Sequence, residues 1–380
     1  QRNGRRFPPM KELRDPKAIR RLLGDIGEKA RLLPRPPRIM EVCGTHTMAL
    51  FRHGLTPLLA EAGVEMVSGP GCPVCITPAG IHEAAISLVT EKEGLTLATF
   101  GDMTRVPTRR GSLQTAVPAP GSRIKIVYSP EEALEEARRE PSRQVVFFGA
   151  GFETTIPAIA FTAKQAAAEG LGNFSVLPAL WLIPPALRAI LEAGEIAVSG
   201  FLYPGHVSAI IGAEPYEFVA RDHGLPGAIA GFEPGDILLA VRSVLEQAAA
   251  GTPRVALEYS RAMRAGGNPV ARALMEEVFE PFDAAWRGLG TIPASGLRFR
   301  ERFAGFDATP KFGLARPGAA GRDLPGCRCG DVLRGVLRPE GCRLFGTKCV
   351  PDSPLGPCMV SYEGACLIHF KYGRTRRPSP

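Results

Sequence analysis

The chain has 380 residues, of which 45% are hydrophobic and 22% charged, and its formal net charge at pH 7 is +8. A chain of this length and composition can bury a large core, so we expect two or three globular domains. The positive charge does not predict nucleic-acid binding, because arginine and lysine are spread along the sequence with few aromatic residues between them.

No apolar run approaches the roughly 18 residues of a membrane span. The chain contains nine cysteines, and an odd number argues against a secreted disulfide framework. It favours reduced thiols that act as ligands or reactive groups. We therefore expect a cytoplasmic protein without a membrane partner.

Short apolar runs alternate with helix-compatible stretches between Arg38 and about Glu246, which predicts an α/β fold with a parallel sheet. Helices are predicted at Pro130–Arg139 and Pro157–Glu169. Beyond this region a helix is predicted at Asn268–Phe282, followed by a small, loop-rich, cysteine-bearing domain. The predicted strands are Arg38–Val42, Val64–Val67, Thr96–Phe100, Lys125–Tyr128, Val145–Phe148, Phe174–Leu177, Ala197–Tyr203 and Ala228–Phe232.

Cys43 follows the first predicted strand, in the run Cys43-Gly-Thr-His46-Thr. The carboxyl ends of parallel strands form the ligand-binding edge of such a sheet. A thiolate near a helix amino terminus is stabilised by the helix dipole, and His46 can donate a hydrogen bond or bind metal. Cys43 is therefore a candidate reactive or metal-binding thiolate. The alternative is a buried structural cysteine beside a capping threonine.

The next predicted strand ends in Gly-Pro-Gly-Cys72-Pro-Val-Cys75, a pair of thiols that can chelate one metal or close a small disulfide. Because Cys43 also follows a strand of the predicted sheet, three thiols can converge at one edge. Three sulfur ligands leave an open coordination position, which suits a site that loads and releases metal.

Three further polar side chains follow predicted strands, namely Asp102, Glu153 and His206. Glu153 lies in the run Gly-Phe-Glu-Thr-Thr, where it can cap the next helix or act as an acid–base group. His206 adds an imidazole, although a lone histidine is more often structural. The convergence of cysteine, histidine and carboxylate side chains from separate strands predicts an active site at the sheet edge.

Six of the nine cysteines lie near the carboxyl terminus, between Cys327 and Cys366. Thiolates gathered in a short stretch rich in glycine and proline are ligands of soft metals. Four ligands and two spare thiols predict a [4Fe–4S] cluster beside a redox dithiol, and a zinc site with four cysteines is the alternative. The predicted ligands are Cys327, Cys342, Cys349 and Cys366, and the remaining pair is Cys329 and Cys358.

Six motifs together resemble those of the HypD family of hydrogenase maturation factors. They are Cys43-Gly-Thr-His46-Thr, Gly-Pro-Gly-Cys72-Pro-Val-Cys75, Gly-Phe-Glu153-Thr-Thr, Pro-Gly-His206-Val-Ser, Trp286-Arg-Gly-Leu-Gly290 and Gly356-Pro-Cys358-Met-Val-Ser-Tyr-Glu-Gly-Ala-Cys366. The resemblance covers residues 38 to 370 approximately. It implies two Rossmann-like α/β domains, 38–165 and 166–255, after an N-terminal helical segment, 1–37. An iron–sulfur domain, 256–380, similar to that of ferredoxin–thioredoxin reductase, would follow.

The resemblance also implies a function as a scaffold on which the Fe(CN)2CO group of [NiFe]-hydrogenases is assembled. Its partners would be the small chaperone HypC, the cyanide donor HypE and, indirectly, the hydrogenase large subunit. Carried over by motif, Cys43, Cys72 and Cys75 would hold the iron, the four ligands named above would bind the cluster, and Cys329 and Cys358 would form the redox pair. Such a protein is an assembly scaffold with redox participation rather than a free-standing enzyme.

Metal chemistry agrees with this function, because iron at thiolates accepts strong-field cyanide carbons and cleavage of the donor's sulfur–cyanide bond consumes electrons. We expect the Cys329–Cys358 pair to relay electrons to Cys72–Cys75, with His46 or Glu153 tuning protonation at the iron. An iron–sulfur disulfide reductase without iron cargo is the alternative. The residues predicted to act in catalysis are Cys43, His46, Cys72, Cys75, Glu153, His206, Cys329 and Cys358.

Overall fold

The computed structural model describes residues 11–314 and 323–373. Residues 1–10, 315–322 and 374–380, which belong to the predicted N-terminal segment and iron–sulfur domain, lie outside the described residues. The chain forms two compact units. The first comprises Gln1–Gly71, Ala193–Asn268 and Lys371–Pro380, and the second comprises Cys72–Glu192 and Pro269–Phe370.

Strands and helices alternate through most of the described chain. The strands are β1 (Arg38–Glu41), β2 (Glu65–Ser68), β3 (Leu95–Thr99), β4 (Arg123–Ile126), β5 (Gln144–Gly151), β6 (Phe174–Leu180), β7 (Gly200–Pro204), β8 (Gly227–Ala230), β9 (Val255–Leu257), β10 (Phe279–Trp286) and β11 (Gly290–Phe299). The α-helices are α1 (Pro16–Arg31), α2 (Gly44–Arg52), α3 (Leu55–Glu61), α4 (Pro73–Ile76), α5 (Ala79–Glu91), α6 (Gly101–Thr104), α7 (Pro130–Arg139), α8 (Ile156–Ala168), α9 (Ile183–Ala193), α10 (Gly205–Ile211), α11 (Glu217–His223), α12 (Pro234–Ala250), α13 (Pro269–Val278), α14 (Ala308–Lys311), α15 (Cys329–Leu333) and α16 (Ala365–Tyr372). Short 3-10 helices span Glu12–Arg14, Glu214–Tyr216, Glu301–Phe306, Pro339–Gly341 and Pro357–Met359.

Each unit contains one parallel sheet. The strand order is β2-β1-β7-β8-β9 in the first unit and β4-β3-β5-β6 in the second, where β10 and β11 also form an antiparallel hairpin. The predicted α/β class is confirmed, and the two sheets are consistent with two Rossmann-like domains. The sequence ranges 38–165 and 166–255 each contribute strands to both sheets.

Local sequence signals account for the ends of several helices. The side chain of Asp15 accepts a hydrogen bond from the Ala18 N–H at 3.1 Å, and proline occupies the first position of α1. Ser129 and Pro130 provide the same combination at the start of α7. An N-cap side chain accepts a hydrogen bond from an N–H group that has no acceptor within the helix. Proline suits the first helical position because it has no N–H group that would need an acceptor.

Apolar side chains from both faces of each sheet are removed from water. In the first unit, Ile26 of α1, Leu59 of α3 and Ile237 of α12 are completely buried in one core cluster. In the second unit, β5 lies between two other strands, and its residues Val145–Phe148 are completely buried. A parallel strand covered on both faces is expected to read as a continuous apolar run, as this one does.

Every predicted strand is present, with ends shifted by a few residues, and the helices predicted at Pro130–Arg139 and Pro157–Glu169 correspond to α7 and α8. The helix predicted at Asn268–Phe282 is wrong at its end, because α13 stops at Val278 and the chain continues as β10. Pairing with β11 decides this, since Phe279 lies opposite Phe299 and their ring centroids are 4.7 Å apart.

None of the helices in the described part of the chain is long and apolar enough to cross a membrane.

Candidate functional site

Cys43 lies in the first unit, two residues after the end of β1, and is the N-cap residue of α2. Its backbone N–H donates to Glu41 Oε2 at 2.9 Å, and the Thr47 hydroxyl donates to Glu41 Oε1. Glu41 is buried, with only 1% of its surface exposed. This carboxylate was not among the predicted site residues, although its place two residues before Cys43 in a strand was the signal. Glu41 fixes the backbone that presents the Cys43 thiol.

Two glycines, Gly69 and Gly71, allow the loop after β2 to pack against Cys43. The Gly44 N–H donates to the Gly71 carbonyl at 3.0 Å, and the Gly69 N–H donates to the Glu41 carbonyl at 2.8 Å. A Cβ atom on Gly71 would lie 2.5 Å from Cys43 Cα and 2.7 Å from its carbonyl carbon. Only a residue without a side chain permits this approach of two backbones.

His46 is completely buried in α2. Its Nε2 lies 3.2 Å from the Ala230 carbonyl and 3.1 Å from the Gly231 carbonyl, so Nε2 carries the hydrogen and donates to them. Burial lowers the pKa of His46 to about 4, and the imidazole is neutral at pH 7. Its Nδ1 has no hydrogen-bond partner among the described residues. A neutral imidazole with a free lone pair can accept a proton or bind a metal.

His206 belongs to the same unit and is exposed. Its ring stacks on Phe232 with 3.9 Å between centroids, and the His46 ring contacts the same phenyl group at 4.8 Å. The structure thus places Cys43, His46 and His206 in the first unit, and Phe232 joins the two imidazoles. Cys72, Cys75, Glu153 and the cysteines near the carboxyl terminus belong to the second unit.

Cys72 and Cys75 occupy the two ends of a single helical turn in the second unit. Cys72 is the N-cap residue of α4, and its sulfur accepts a hydrogen bond from the Cys75 N–H at 3.2 Å. Both side chains are buried, Cys75 completely. The proline between them starts the helix, so the two thiols lie on one short, constrained turn.

A continuous series of thiol contacts leads from Cys75 into the carboxyl-terminal region. The side chain of Cys75 is adjacent to that of Cys358, and Cys358 is adjacent to both Cys329 and Cys366. Cys329 is in turn adjacent to Cys327. None of the nine cysteines, all of which lie in the described part of the chain, forms a disulfide. Burial raises the pKa of Cys75 well above its usual range, so this thiol is protonated at pH 7.

The four thiols that the sequence predicts as cluster ligands line one pocket, together with Cys329. Apolar side chains form much of the remaining wall. Within residues 11–314 and 323–373, no group of three or more His, Cys, Asp or Glu side chains could hold a metal ion. The four ligands that line the pocket are Cys327, Cys342, Cys349 and Cys366.

Thiols spread around a pocket fit a polynuclear cluster. A single zinc ion would draw four sulfurs to about 2.3 Å from one point, whereas a [4Fe–4S] cluster takes one thiolate on each iron. Gly356 contributes to the space beside this pocket, because a Cβ atom there would lie 2.5 Å from Cys327 Sγ and 2.6 Å from Cys329 Sγ. Four cysteines around one pocket are the donor set that a [4Fe–4S] cluster takes, and the cluster itself stays a prediction.

Glu153 is buried in the second unit, with 1% of its surface exposed. One carboxylate oxygen, Oε1, accepts a hydrogen bond from the Ile183 N–H at 3.0 Å, and the other has no partner among the described residues. Burial raises the pKa of Glu153 to about 7. A carboxyl group with this pKa can exchange a proton at neutral pH. Asp102, also in the second unit, accepts a hydrogen bond from the Tyr362 N–H at 3.2 Å.

The stability of the second unit is expected to depend on the ionisation of Glu153. Its folded pKa, about 7, lies above the ordinary 4.5, so the folded chain keeps a proton that the unfolded chain has released. The contribution of protonated Glu153 to the free energy of unfolding is therefore fully present below pH 4.5. This contribution, on the order of 3 kcal/mol, is lost as the pH rises through 7. The Glu153→Gln variant cannot ionise and should not show this loss.

The measurement is urea unfolding between pH 4.5 and 8, followed by the fluorescence of Trp181 and Trp286. These are the two tryptophans of the chain, and both belong to the second unit. The difference in unfolding free energy between variant and parent should move in favour of the variant as the pH rises. If the unfolding free energies of variant and parent changed in parallel with pH, Glu153 would be ionised in the folded chain throughout this pH range.

Two further buried groups of the second unit were not among the predicted site residues. Arg287 is 5% exposed, and its Nε donates to the Thr77 carbonyl at 3.1 Å. His82 is 1% exposed, and its two ring nitrogens have no hydrogen-bond partner among the described residues. Burial lowers the pKa of His82 well below its usual range, and the Arg287 charge lowers it further. The histidine gave no signal beyond its place in a predicted helix-compatible stretch, whereas Arg287 lies in the Trp-Arg-Gly-Leu-Gly motif.

Comparison with known proteins agrees with the motifs. The model of the family described as HypD, hydrogenase formation hypA family, matches residues 17–373. The chain belongs to the HypD family. A hydrogenase maturation factor HypD of Rhizobium leguminosarum bv. viciae is 46% identical over 365 residues, which cover 93% of this chain and 94% of the relative. The HypD factors of Rhodobacter capsulatus and Escherichia coli K12 are 44% and 42% identical, and each alignment covers at least 95% of both chains. The family predicted from the motifs is confirmed.

Proposed function

We propose that the chain acts in hydrogenase maturation as a scaffold and redox-active carrier of the iron that becomes the Fe(CN)2CO group. Membership of the HypD family supports the role in hydrogenase maturation. The observation that supports the redox role is the series of adjacent thiols Cys75, Cys358 and Cys329, which ends at the cysteine-lined pocket. Buried thiols in contact can exchange disulfides with one another without a diffusing carrier.

The first chemical step is cleavage of a sulfur–cyanide bond on the donor. A thiolate of the Cys72–Cys75 pair attacks the donor sulfur and releases cyanide, and the second thiol then displaces the donor as the pair closes to a disulfide. One thiocyanate group and two thiols thus give one donor thiol, one protein disulfide and one hydrogen cyanide. The cyanide carbon binds the iron cargo after loss of the proton.

The second step restores the Cys72–Cys75 pair. Cys358 attacks the Cys75 sulfur, and Cys329 then resolves the mixed disulfide, so that two electrons and two protons pass from one pair to the other. The Cys329–Cys358 disulfide returns to thiols with two electrons and two protons from an external one-electron donor. A [4Fe–4S] cluster held by Cys327, Cys342, Cys349 and Cys366 would supply single electrons beside this pair.

The iron cargo is proposed to bind thiolates of Cys43, Cys72 and Cys75, because soft sulfur ligands suit iron that carries cyanide and carbon monoxide. Neutral His46, with a free Nδ1, and Glu153, with a pKa of about 7, are the groups that can accept or deliver protons. His206 is proposed to act beside His46 through their shared contact with Phe232.

The partners that this function requires are a small HypC-type chaperone, a HypE-type cyanide donor and, indirectly, the hydrogenase large subunit. The cytoplasm is the proposed compartment, because free thiols at this density require reducing conditions. The carboxyl-terminal region is proposed to form an iron–sulfur domain similar to that of ferredoxin–thioredoxin reductase.

Replacement of Cys329 by alanine tests the redox relay. Before turnover, with Cys72 and Cys75 reduced, the variant should still bind iron at the predicted cargo thiolates. Cyanide transfer should stop after one turnover because the Cys72–Cys75 disulfide is not reduced again. The measurement is the cyanide infrared band of the chain co-expressed with its partners, together with the disulfide state of Cys72 and Cys75. Full cyanide transfer over several turnovers would remove Cys329 from the relay.

The same thiol contacts would also serve an iron–sulfur disulfide reductase without iron cargo. Iron analysis distinguishes the two functions. A carrier co-expressed with its partners should contain iron beyond the cluster and show cyanide and carbon monoxide infrared bands. Cluster iron alone, without those bands, would favour the reductase.

A further inference from the structure

The buried Arg287 ties the β10–β11 hairpin to the turn that carries Cys72 and Cys75. Its backbone N–H donates to the Ile76 carbonyl at 2.8 Å, and its Nε donates to the Thr77 carbonyl at 3.1 Å. Asp323 forms an ion pair with its Nη1. The two carbonyls lie at the end of α4, where a helix leaves its last acceptors without intrahelical donors. One residue therefore anchors the carboxyl end of the helical turn.

The residue after Arg287 contacts the second dithiol region. Gly288 has a φ of +79°, and a Cβ atom on it would lie about 3.0 Å from the Gly330 carbonyl carbon and 3.1 Å from its oxygen. A Cβ atom on Gly330 would lie 2.7 Å from Gly288 Cα. The two glycine backbones are therefore in direct contact. Gly330 follows Cys329 directly and lies in α15.

The two sets of contacts come from adjacent residues of one buried turn. Trp286 fixes this turn in the core, since its Nε1 donates to the Ser295 hydroxyl at 2.8 Å and its ring stacks on Phe152. Arg287 then holds the helix of Cys75, and Gly288 holds the helix of Cys329. Trp286–Gly288, which we call the spacer turn, thus spans the elements that carry the two dithiols.

We propose that the spacer turn is a positioning device, in which Arg287 sets the Cys75 thiol against that of Cys358. This inference rests on the proposed function, in which electrons pass between the two dithiols. Arg287 contacts carbonyl oxygens and a carboxylate rather than any sulfur described above, so it acts through α4. Exchange between two thiols depends steeply on their separation and alignment, and an error of about 1 Å costs on the order of a hundredfold.

The test measures two disulfides in the full-length chain, without partners and without hydrogenase. The background Cys72→Ser with Cys329→Ser reports the pair Cys75–Cys358, and the background Cys72→Ser with Cys75→Ser reports the pair Cys329–Cys358. Each is equilibrated anaerobically with reduced and oxidised glutathione, which exchanges one glutathione disulfide for one protein disulfide and two glutathione thiols. Mass spectrometry after alkylation gives the effective concentration of each pair.

Introducing Arg287→Leu should lower the effective concentration of the Cys75–Cys358 pair at least tenfold and leave that of Cys329–Cys358 within twofold. Arg287→Lys should give an intermediate loss, because a single ammonium group cannot reproduce the fork that reaches Thr77 and Asp323 together. The exposed Arg302, replaced by leucine, is the control and should change neither pair.

Equal losses in both backgrounds would make Arg287 a general structural residue and would overturn the inference. An unchanged Cys75–Cys358 pair would overturn it as well. The effective concentrations of the two pairs are measured without iron cargo or cyanide. They would therefore not change if the proposed function were wrong. The two proposals can therefore fail separately.

Discussion

Replacing Gly356 by alanine is expected to remove most of the iron and sulfide of the [4Fe–4S] cluster that is proposed for the carboxyl-terminal region. The backbone at Gly356 has φ −158° and ψ 157°, an extended conformation that alanine adopts without strain. The added methyl group would nevertheless lie 2.5 Å from Cys327 Sγ and 2.6 Å from Cys329 Sγ. Carbon and sulfur in ordinary contact are more than 3.5 Å apart, so the overlap exceeds 1 Å.

Relief of this overlap moves a predicted cluster ligand and a member of the dithiol at the same time. Cys329 is buried, with 5% of its surface exposed, and has little room to rotate. We expect at least a fivefold fall in bound iron and acid-labile sulfide after anaerobic purification, and a loss of stability of about 2 kcal/mol from overpacking. Elemental analysis and the visible absorption of the cluster measure the first effect.

The matched control is Gly305→Ala in the same unit. No heavy atom lies within 4 Å of a Cβ atom at Gly305, and its φ is not positive. This variant should retain its iron and sulfide. A Gly356→Ala chain with the full iron and sulfide content would show that the sulfurs of Cys327 and Cys329 can move apart without loss of the site.

Replacing Gly71 by alanine is expected to destabilise the first unit by about 3 kcal/mol. The new methyl group would lie 2.5 Å from Cys43 Cα and 2.7 Å from the Cys43 carbonyl carbon. Backbone atoms cannot rotate away, so one of the two segments has to shift. The shift would break the hydrogen bond from the Gly44 N–H to the Gly71 carbonyl and disturb the bond between Cys43 and Glu41.

The same substitution at Gly24 is expected to raise the stability that Gly71→Ala lowers. Gly24 lies in α1, and no heavy atom is within 4 Å of a Cβ atom there. Alanine in a helix interior is favoured over glycine by about 0.5–1 kcal/mol, so this variant should be more stable than the parent. Urea unfolding followed by far-UV circular dichroism measures both. A Gly71→Ala chain that unfolds at the parent's urea concentration would mean that the loop at Cys43 yields without cost.

Periodicity predicted the sheets well because their strands are short apolar runs bounded by turns. The run Val145–Phe148 reads as a buried strand from its side chains alone, and it is one. Phe279 and the residues after it were predicted as helix because they continue the pattern of α13. Their conformation depends instead on pairing with β11, and that partner is separated from them in sequence. Local pattern does not contain this information.

The sequence also identified the chemistry-bearing residues but not their contacts. Cys75 and Cys358 are far apart in the chain, and their motifs identify two thiols without showing that the folded chain places them side by side. The positions of Glu41 beside Cys43 and of Arg287 in its motif mark both residues, but they do not show which groups these side chains contact. Each became visible only when burial and hydrogen-bond partners were known.

The sequence by itself determined the family, the α/β class and the identity of the thiols, because these depend on residue types and their spacing along the chain. Tertiary structure alone decided which side chains meet and what burial does to them. Glu153 is an ordinary glutamate in the sequence, and it has a pKa of about 7 only because the folded chain excludes water from it. Gly356 is one glycine among 43, and only the fold places it against two sulfurs. Contacts and solvation are properties of the packed chain, since they depend on residues that no local window of sequence brings together.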